Sequence, residues 1–280
     1  MESNARARTL GAELRDLRKA KRVSLIGLGA QVGLDKNTIS RTERGERVAS
    51  ETEVASILGA LGVVGGKRRE LLQLAREAAK SSWLETAAGL PSQHKALMEY
   101  EKVATSIMDV TALLVPGLLQ TPAYARAVMT EGDVATSEIE TLVELRLTRQ
   151  DVLTRDKPVP YMAIIDEFVL RRPVGGRSVM AGQARHLLDM AQRPNVTIRV
   201  VPQERGYHMG LFGSFIMLES ARTTPVVHLE HLRSGVFLYK MQDIQPYLDI
   251  KPALMAAAVG PEGSLGLITK CAEEMEGRQK

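Results

Sequence analysis

Residues 24–45, SLIGLGAQVGLDKNTISRTERG, constrain the fold more than any other stretch, because they read as two short helices joined by a tight turn. Leu25, Leu28 and Val32 share one helical face, and Ile39 returns to it after the turn at Gly33. Asp35 is a good N-cap for a second helix running from about Lys36 to Arg44, and its carboxylate suits the positive end of that helix. Lys36, Asn37, Ser40, Arg41 and Arg44 are then left on the exposed side, as donors of the kind that meet base edges and phosphates. A charged outer face is common to any small helical hairpin, so it is the order of residues that decides: a polar N-cap, T-I-S-R, then E-R-G at the helix end.

That order, NTISRTERG, resembles the helix-turn-helix of the Xre/Cro/lambda-repressor family, where a phrase like STISRIERG marks the recognition helix. The resemblance implies that Lys36, Asn37 and Arg41 contact bases and that Ser24, Arg44 and Arg47 hold phosphates. It also implies an ion pair between Arg18, one helix earlier, and Glu43. Such a partly buried pair fixes geometry more reliably than it adds net stability. Two positions depart from the family pattern. Leu25 stands where glutamine is frequent, which removes a contact near the DNA backbone, and Gly29 stands where alanine is usual, which is expected to loosen its helix by ~1 kcal/mol.

Charge distribution agrees with a nucleic-acid partner. The net charge is only +4, but residues 1–80 hold 16 Lys and Arg against 10 Asp and Glu, whereas residues 81–280 hold 21 against 23. The basic excess sits with the helix-turn-helix, where counterion release on DNA requires it. A single cysteine, Cys271, allows no internal disulfide, and with few histidines it builds no metal cluster, so a reducing cytoplasm is the expected compartment. The N-terminal run MESNARARTLGAELRD has no signal-peptide core. The most apolar run, Val110 to Leu119, is interrupted by Pro116 and Gly117 and is far shorter than the ~20 residues of a spanning helix, so no membrane segment is expected.

At 280 residues the chain has room for two domains. The reading places a helix-turn-helix domain at 1–80, a connector at 81–93 containing the hinge AGLPSQ, and a second domain at 94–280. Helices are expected at Thr9–Lys21, Glu51–Leu61 and Lys67–Leu84, giving five helices with the pair already described. Beyond the hinge, His94–Val110 reads as a helix. Another helix should start at Pro122 with Thr121 as its N-cap, followed by one over Ser137–Leu153. Strands are expected at Pro160–Ile165 and Asn195–Val201 on either side of a helix at Val179–Gln192, an order that suits parallel pairing. Three further β-rich runs within 206–220, 225–232 and 235–240 suit an antiparallel meander, and residues from Ile244 onward read as helix broken at Gly260 to Gly263. The expected fold class is an all-α helix-turn-helix domain followed by an α+β domain with a small mixed sheet.

The C-terminal part carries a second resemblance. VPGLLQTPAYARAV, ELRLTRQDVL, IIDEFVLRRPVGG, RPNVTIRVVP, GYHMGLFGSFIMLE and VVHLEHLRSGVFLY stand in an order similar to a domain of unknown function in actinomycete regulators, often classed as antitoxin-like. The resemblance covers about residues 90–275. It implies a transcription regulator that works with a small protein encoded by an adjacent gene and has no catalytic activity. The residues offer little chemistry. His228 and His231, three apart on a strand, point to opposite faces, which leaves His228 as a histidine at a sheet surface rather than a metal ligand. Asp166 and Glu167 beside Arg171 and Arg172 are adjacent carboxylates that do not face one cleft. Ser214 and His208 lack a nucleophile-elbow phrase, Gly175-Gly176-Arg177 reads as a turn before a helix, and Trp83 as packing. No catalytic, cofactor or metal site is therefore expected. The expected partners are double-stranded DNA, a second copy of the chain and the small protein. The alternative from a different class keeps the DNA-binding module but makes the second domain a small-molecule sensor or enzyme, with a pocket around Ile164, Phe215 and His228.

Overall fold

The computed structural model describes residues 5–84, 92–132, 134–221, 223–231, 234–238 and 240–277. The chain folds as two compact units, residues 1–103 with 220–223, and residues 104–219 with 224–280.

The first unit is helical: α1 (Ala5–Ala20), α2 (Leu25–Val32), α3 (Lys36–Glu43), α4 (Glu51–Ala60), α5 (Gly65–Leu84) and α6 (Ser92–Val103). The short helices α2, α3 and α4 have capped starts. Ser24 Oγ accepts from Gly27 N–H, Asp35 accepts from the N–H groups of Asn37 and Thr38, and Ser50 and Glu53 form a reciprocal capping box on α4. Gly33 ends α2 in the left-handed region (φ 70°), and the Leu34 N–H returns to the Gly29 carbonyl. The core comprises Leu10 and Leu14 of α1, Leu28, Ile39, Val54, Ile57, Leu58 and Leu71, with Leu25 and Val32 packed at its margin. Each fully buried Leu or Ile contributes about 1.5–3 kcal/mol.

Backbone contact through glycine sets how closely α3 lies on α1. A Cβ at Gly11 would sit 2.3 Å from the Thr42 carbonyl oxygen, and one at Gly45 would sit 2.4 Å from Arg8 Cα. Gly29 is a third such point, because a Cβ there would sit 2.3 Å from the Leu34 oxygen. The expected loosening of α2 by Gly29 is thus outweighed by a close approach that alanine would block. Helix α6 packs on α1, and Glu99 pairs with Arg6 at 3.0 Å. The helix expected to open the second domain is therefore counted with the first, and much of the connector expected at 81–93 lies outside the described residues.

The second unit runs β1 (Ser106–Thr111), α7 (Pro122–Glu131), α8 (Ile139–Arg149), α9 (Asp151–Thr154), β2 (Tyr161–Asp166), α10 (Glu167–Arg171) and α11 (Arg177–Met190). It continues with β3 (Val196–Val201), β4 (Phe215–Glu219), β5 (Val226–His231), β6 (Ser234–Leu238), α12 (Met241–Asp249), α13 (Lys251–Ala257) and α14 (Pro261–Met275). The fold class is that read from the sequence, with a mixed six-stranded sheet of order β3-β2-β1-β4-β5-β6. The β1–β2 and β2–β3 pairs are parallel, and the pairs from β1–β4 to β5–β6 are antiparallel. Thr121 caps α7 and Pro122 occupies its first turn.

Three expectations are corrected. The helix expected over His94–Val110 stops at Val103, and Ser106–Thr111 forms the central strand β1, almost every residue of which is buried. The helix expected over Ser137–Leu153 is a 3-10 turn followed by α8 and α9, divided at Gln150, whose side-chain amide donates to the Gln120 carbonyl. The C-terminal helix does break at Gly260, the N-cap of α14, but Gly263 lies within α14.

The two faces of the sheet differ. Met108, Val110, Ile164, Phe215, Met217 and Val227 build an apolar core with Ile244 of α12 and Leu254 of α13. On the outer edge, β3 is covered by the turn before α14. Val200 N–H donates to Ser264 Oγ, Val259 N–H donates to the Val200 carbonyl, and the Arg199 guanidinium donates to the carbonyls of Ala258 and Val259. At Val200 the strand edge is thus closed to a further strand.

The close glycine approaches give a paired prediction. Gly11→Ala should destabilise the helical unit by about 1–3 kcal/mol through overpacking. Gly59→Ala, at a position in α4 with open space around it, should be neutral or stabilise by up to ~1 kcal/mol. Urea melts of the two variants read both signs.

Candidate nucleic-acid interface

Helix α3 presents two chemically opposite sides. Ile39, Thr42 and Glu43 are buried, whereas Lys36, Asn37 and Arg41 are exposed. Asn37, Arg41 and Arg44 follow an i, i+4, i+7 spacing and so form one stripe along the helix. Asp35 anchors the start of this helix: Oδ1 accepts from Asn37 N–H at 2.8 Å and Thr38 N–H at 3.0 Å, and Oδ2 accepts from the Thr38 hydroxyl. These bonds, that from the Thr38 hydroxyl first, hold the Asp35 carboxyl below its ordinary value.

Position and orientation of α3 are set by Arg18. Its Nε and Nη2 donate to the two Glu43 oxygens at 2.5 and 2.7 Å, and its Nη1 donates to the Val23 carbonyl at 2.9 Å. The pair is shielded, with side-chain exposures of 11% and 5%, and the guanidinium is held even more firmly protonated by the bond to Glu43.

The three residues assigned to phosphates differ in freedom. Ser24 is exposed at the N-terminus of α2. Its oxygen accepts from Gly27 N–H at 2.9 Å, which leaves its own proton to donate. Arg44 is exposed but closed on Glu46 by a two-pronged pair at 2.8 and 2.9 Å, with Nη1 on Ser40 Oγ. Arg47 is half-buried, bound to Thr42 Oγ1 at 2.9 Å and to both oxygens of Glu53, the residue that caps α4. Lys21 and Arg22, exposed beside Ser24, add positive charge at the same helix end, a contribution that the family pattern does not point to. The sequence KRVS directly before α2 carries that signal.

The residues of the second unit that the sequence offered for chemistry engage separate partners. His208 is buried, with Nε2 on Asp166 Oδ2 at 2.8 Å and Nδ1 accepting from Gly210 N–H at 3.2 Å, so both ring nitrogens are engaged. Ser214 donates to Thr111 Oγ1 instead. Asp166 and Glu167 face different partners, since Glu167 is buried and takes Arg171 and the Gln203 N–H. His228 is not at a sheet surface as expected but buried, its ring 4.4 Å from that of Phe237. The side chains of His231 and Trp83 lie outside the described residues. Among the described residues, no group of three or more His, Cys, Asp or Glu is placed to hold a metal ion. Of the pocket expected around Ile164, Phe215 and His228, residues Phe215 and His228 both border one cavity, whereas Ile164 does not line it. Ile164 and Phe215 stand on the apolar face, and the register, Phe215 opposite Leu229 and Ile216 opposite His228, puts His228 on the other.

Residues 94–270, which span most of the second unit and most of α6, match the model of the family described as "Domain of unknown function (DUF5753)". The chain belongs to that DUF5753 family. Residues 9–72 match a model described as "Helix-turn-helix domain", which covers α2, α3 and α4 together with most of α1 and part of α5. No curated protein and no solved structure matches the chain. No helix among the described residues of this DUF5753 protein is long and apolar enough to cross a membrane. The helix-turn-helix domain marks the chain as a DNA-binding regulator.

Capping and pairing around α3 have measurable consequences. Because the Asp35 carboxyl is depressed in the fold, its contribution to stability is present above the unfolded carboxylate value and lost as pH falls through the lower folded value. Asp35→Ala should therefore destabilise the helical unit at neutral pH and have little effect once the carboxyl is protonated, as thermal melts across acidic pH would show. Glu43→Gln should cost about 2–4 kcal/mol by leaving Arg18 shielded without its anion. Glu46→Gln, at the exposed Arg44 pair, should change stability by less than about 1 kcal/mol. Denaturant melts of the two variants at neutral pH separate these outcomes.

Proposed function

We propose that this chain is a sequence-specific transcription regulator whose helix α3 enters the major groove of double-stranded DNA. The observation that carries the reading is the exposure of Lys36, Asn37 and Arg41 on a helix whose opposite side is locked into the core. Asn and Arg side chains make bidentate bonds to adenine and guanine edges, which gives this helix a means of reading sequence. Ser24, Arg44 and Arg47 are assigned to the phosphates that set register. For Arg47 that role means exchanging Glu53 for a phosphate oxygen. The reading further makes the protein cytoplasmic and gives it no catalytic role.

The C-terminal domain, in this proposal, dimerises and binds a small protein encoded by an adjacent gene, as in the antitoxin-like regulators of Xre type that the sequence resembles. Reading two half-sites about one helical turn apart, ~34 Å, needs two copies. Support comes from large apolar side chains exposed just beyond the carboxyl ends of the three parallel strands: Leu113 after β1, Phe168 after β2, and Tyr207, Leu211 and Phe212 after β3. Phe212 is 78% exposed, with its ring edge-on to Tyr207. Exposed apolar side chains of this size are characteristic of association surfaces.

Capture of genomic fragments by the purified protein would supply the site on which these roles are tested. Asn37→Ala or Arg41→Ala should weaken specific binding by ~1–3 kcal/mol and leave random DNA nearly unaffected; equal losses on both would make them positioning residues. Arg44→Ala should weaken all sequences alike and flatten the salt dependence by about one unit. Light scattering on the full-length protein should give a dimer, and Tyr207→Asp with Phe212→Asp should give a monomer. A wild-type monomer both on and off DNA would overturn the dimeric platform.

A further inference from the structure

The sheet face opposite the apolar core is largely aliphatic, with Ile107, Ile165, Ile198 and Leu218 buried on it, but one part of it is polar. Strand register places Asp109, Ile216 and His228 in one cross-strand row, and the next row brings Thr111 beside Ser214, their hydroxyls 3.3 Å apart. Over these rows lie the segment 113–120 and helix α8, and the space between is a cavity of about 270 Å3. Its deep part is lined by Asp109, His228 and Arg149, each buried, and its mouth by Arg146 and Glu230. Asp109 also accepts from the Tyr161 hydroxyl at 3.1 Å, and Arg146 donates to Gln120 at 2.7 Å, so the walls are held in place.

Simple packing does not account for this composition. The other face of the same strands is closed by Met, Val, Ile and Phe. Burying a carboxylate, an imidazole and a guanidinium costs several kcal/mol each before their interactions are recovered, and a domain that needed only to cover its sheet would use aliphatic residues there. A concave site with converging polar groups is the usual form of a small-ligand pocket, and this one lies below the size range of pockets for drug-sized molecules.

The charges are divided by element. The strands supply the anions, Asp109 from β1 and Glu230 from β5, and α8 supplies the cations, Arg146 and Arg149. A purely anionic ligand would meet the two carboxylates, and a purely cationic one the two guanidiniums. We propose that the cavity binds a small zwitterion of the α-amino-acid class, with its ammonium on the strand side at Asp109 and Glu230 and its carboxylate on the α8 side at Arg146 and Arg149. His228 and the Thr111 and Ser214 hydroxyls then face the side chain of the ligand. This assignment is independent of the DNA-binding reading.

Calorimetric titration of the full-length protein with the common free α-amino acids, and with the N-acetyl and carboxamide forms of each binder, tests it. The expected result is saturable binding of one or a few zwitterions, with both blocked forms weaker by about tenfold or more. Asp109→Asn should narrow the gap between the free and N-acetyl forms, and Arg146→Gln the gap between the free and carboxamide forms. Should Asp109→Asn not fold, Glu230→Gln at the exposed mouth reads the same selectivity. No saturable binding by any free amino acid at millimolar concentration would overturn the assignment. So would equal binding of free and blocked forms, or selectivity unchanged in these variants.

Discussion

The Arg18 guanidinium joins three segments, its own helix α1, the end of α3 and the turn before α2. Two of its nitrogens grip Glu43 at the end of α3 and a third binds the Val23 carbonyl in the turn that leads to α2. A planar fork makes these bonds in one orientation only, so both the angle of α3 against α1 and the start of α2 are set by one side chain. Ile39 and Leu28 then fill the space beneath, and the backbone contact at Gly11 brings the helices close enough for that fork to reach. Hydrophobic burial supplies most of the stability, while the ion pair chooses the geometry in which the burial occurs.

In the second unit the corresponding constraint is the central strand β1. It is paired on both sides, parallel to β2 and antiparallel to β4, and its alternate residues serve different purposes. Met108 and Val110 go to the apolar core, whereas Asp109 and Thr111 go to the polar cavity. The loop after β3 is fastened to the end of β2 by His208, which spans Asp166 and the Gly210 N–H. The rim of exposed apolar side chains beyond β1, β2 and β3 is thus carried on a fastened frame.

Signals in the sequence are legible where they act over a few residues. Asp35 and Thr121 cap the helices assigned to them, and the two-helix pattern of 24–45 is observed. What depends on distant partners is not legible in the same way. SIMDVT is buried on both faces, so it lacks the alternation that announces a half-exposed strand, and it follows a helix closely enough to read as its continuation. His228 reads as a surface residue because nothing near it in sequence reveals that α8 and the 113–120 segment lie over that face. Gly29 looks like a weak helix residue, because propensity is local and the carbonyl of Leu34 that requires it belongs to the far side of a turn. The charges at Arg44 and Arg47 are legible as residue types, whereas their engagement by Glu46 and Glu53 is not.

The glycine seat beneath α3 bears on how such a protein changes over generations. Helix α3 is held through the backbone near Thr42, through Ile39 and through Glu43, and none of its outward side chains takes part in that attachment. Substitutions at Lys36, Asn37 or Arg41 leave the scaffold intact, so a duplicated copy is free to drift at these positions without first losing its fold. The inward positions have no such latitude, since a methyl at Gly11 would run into the Thr42 and Glu43 backbone. Inheritance is thereby partitioned within one short helix, with one side conserving the architecture and the other open to new specificities.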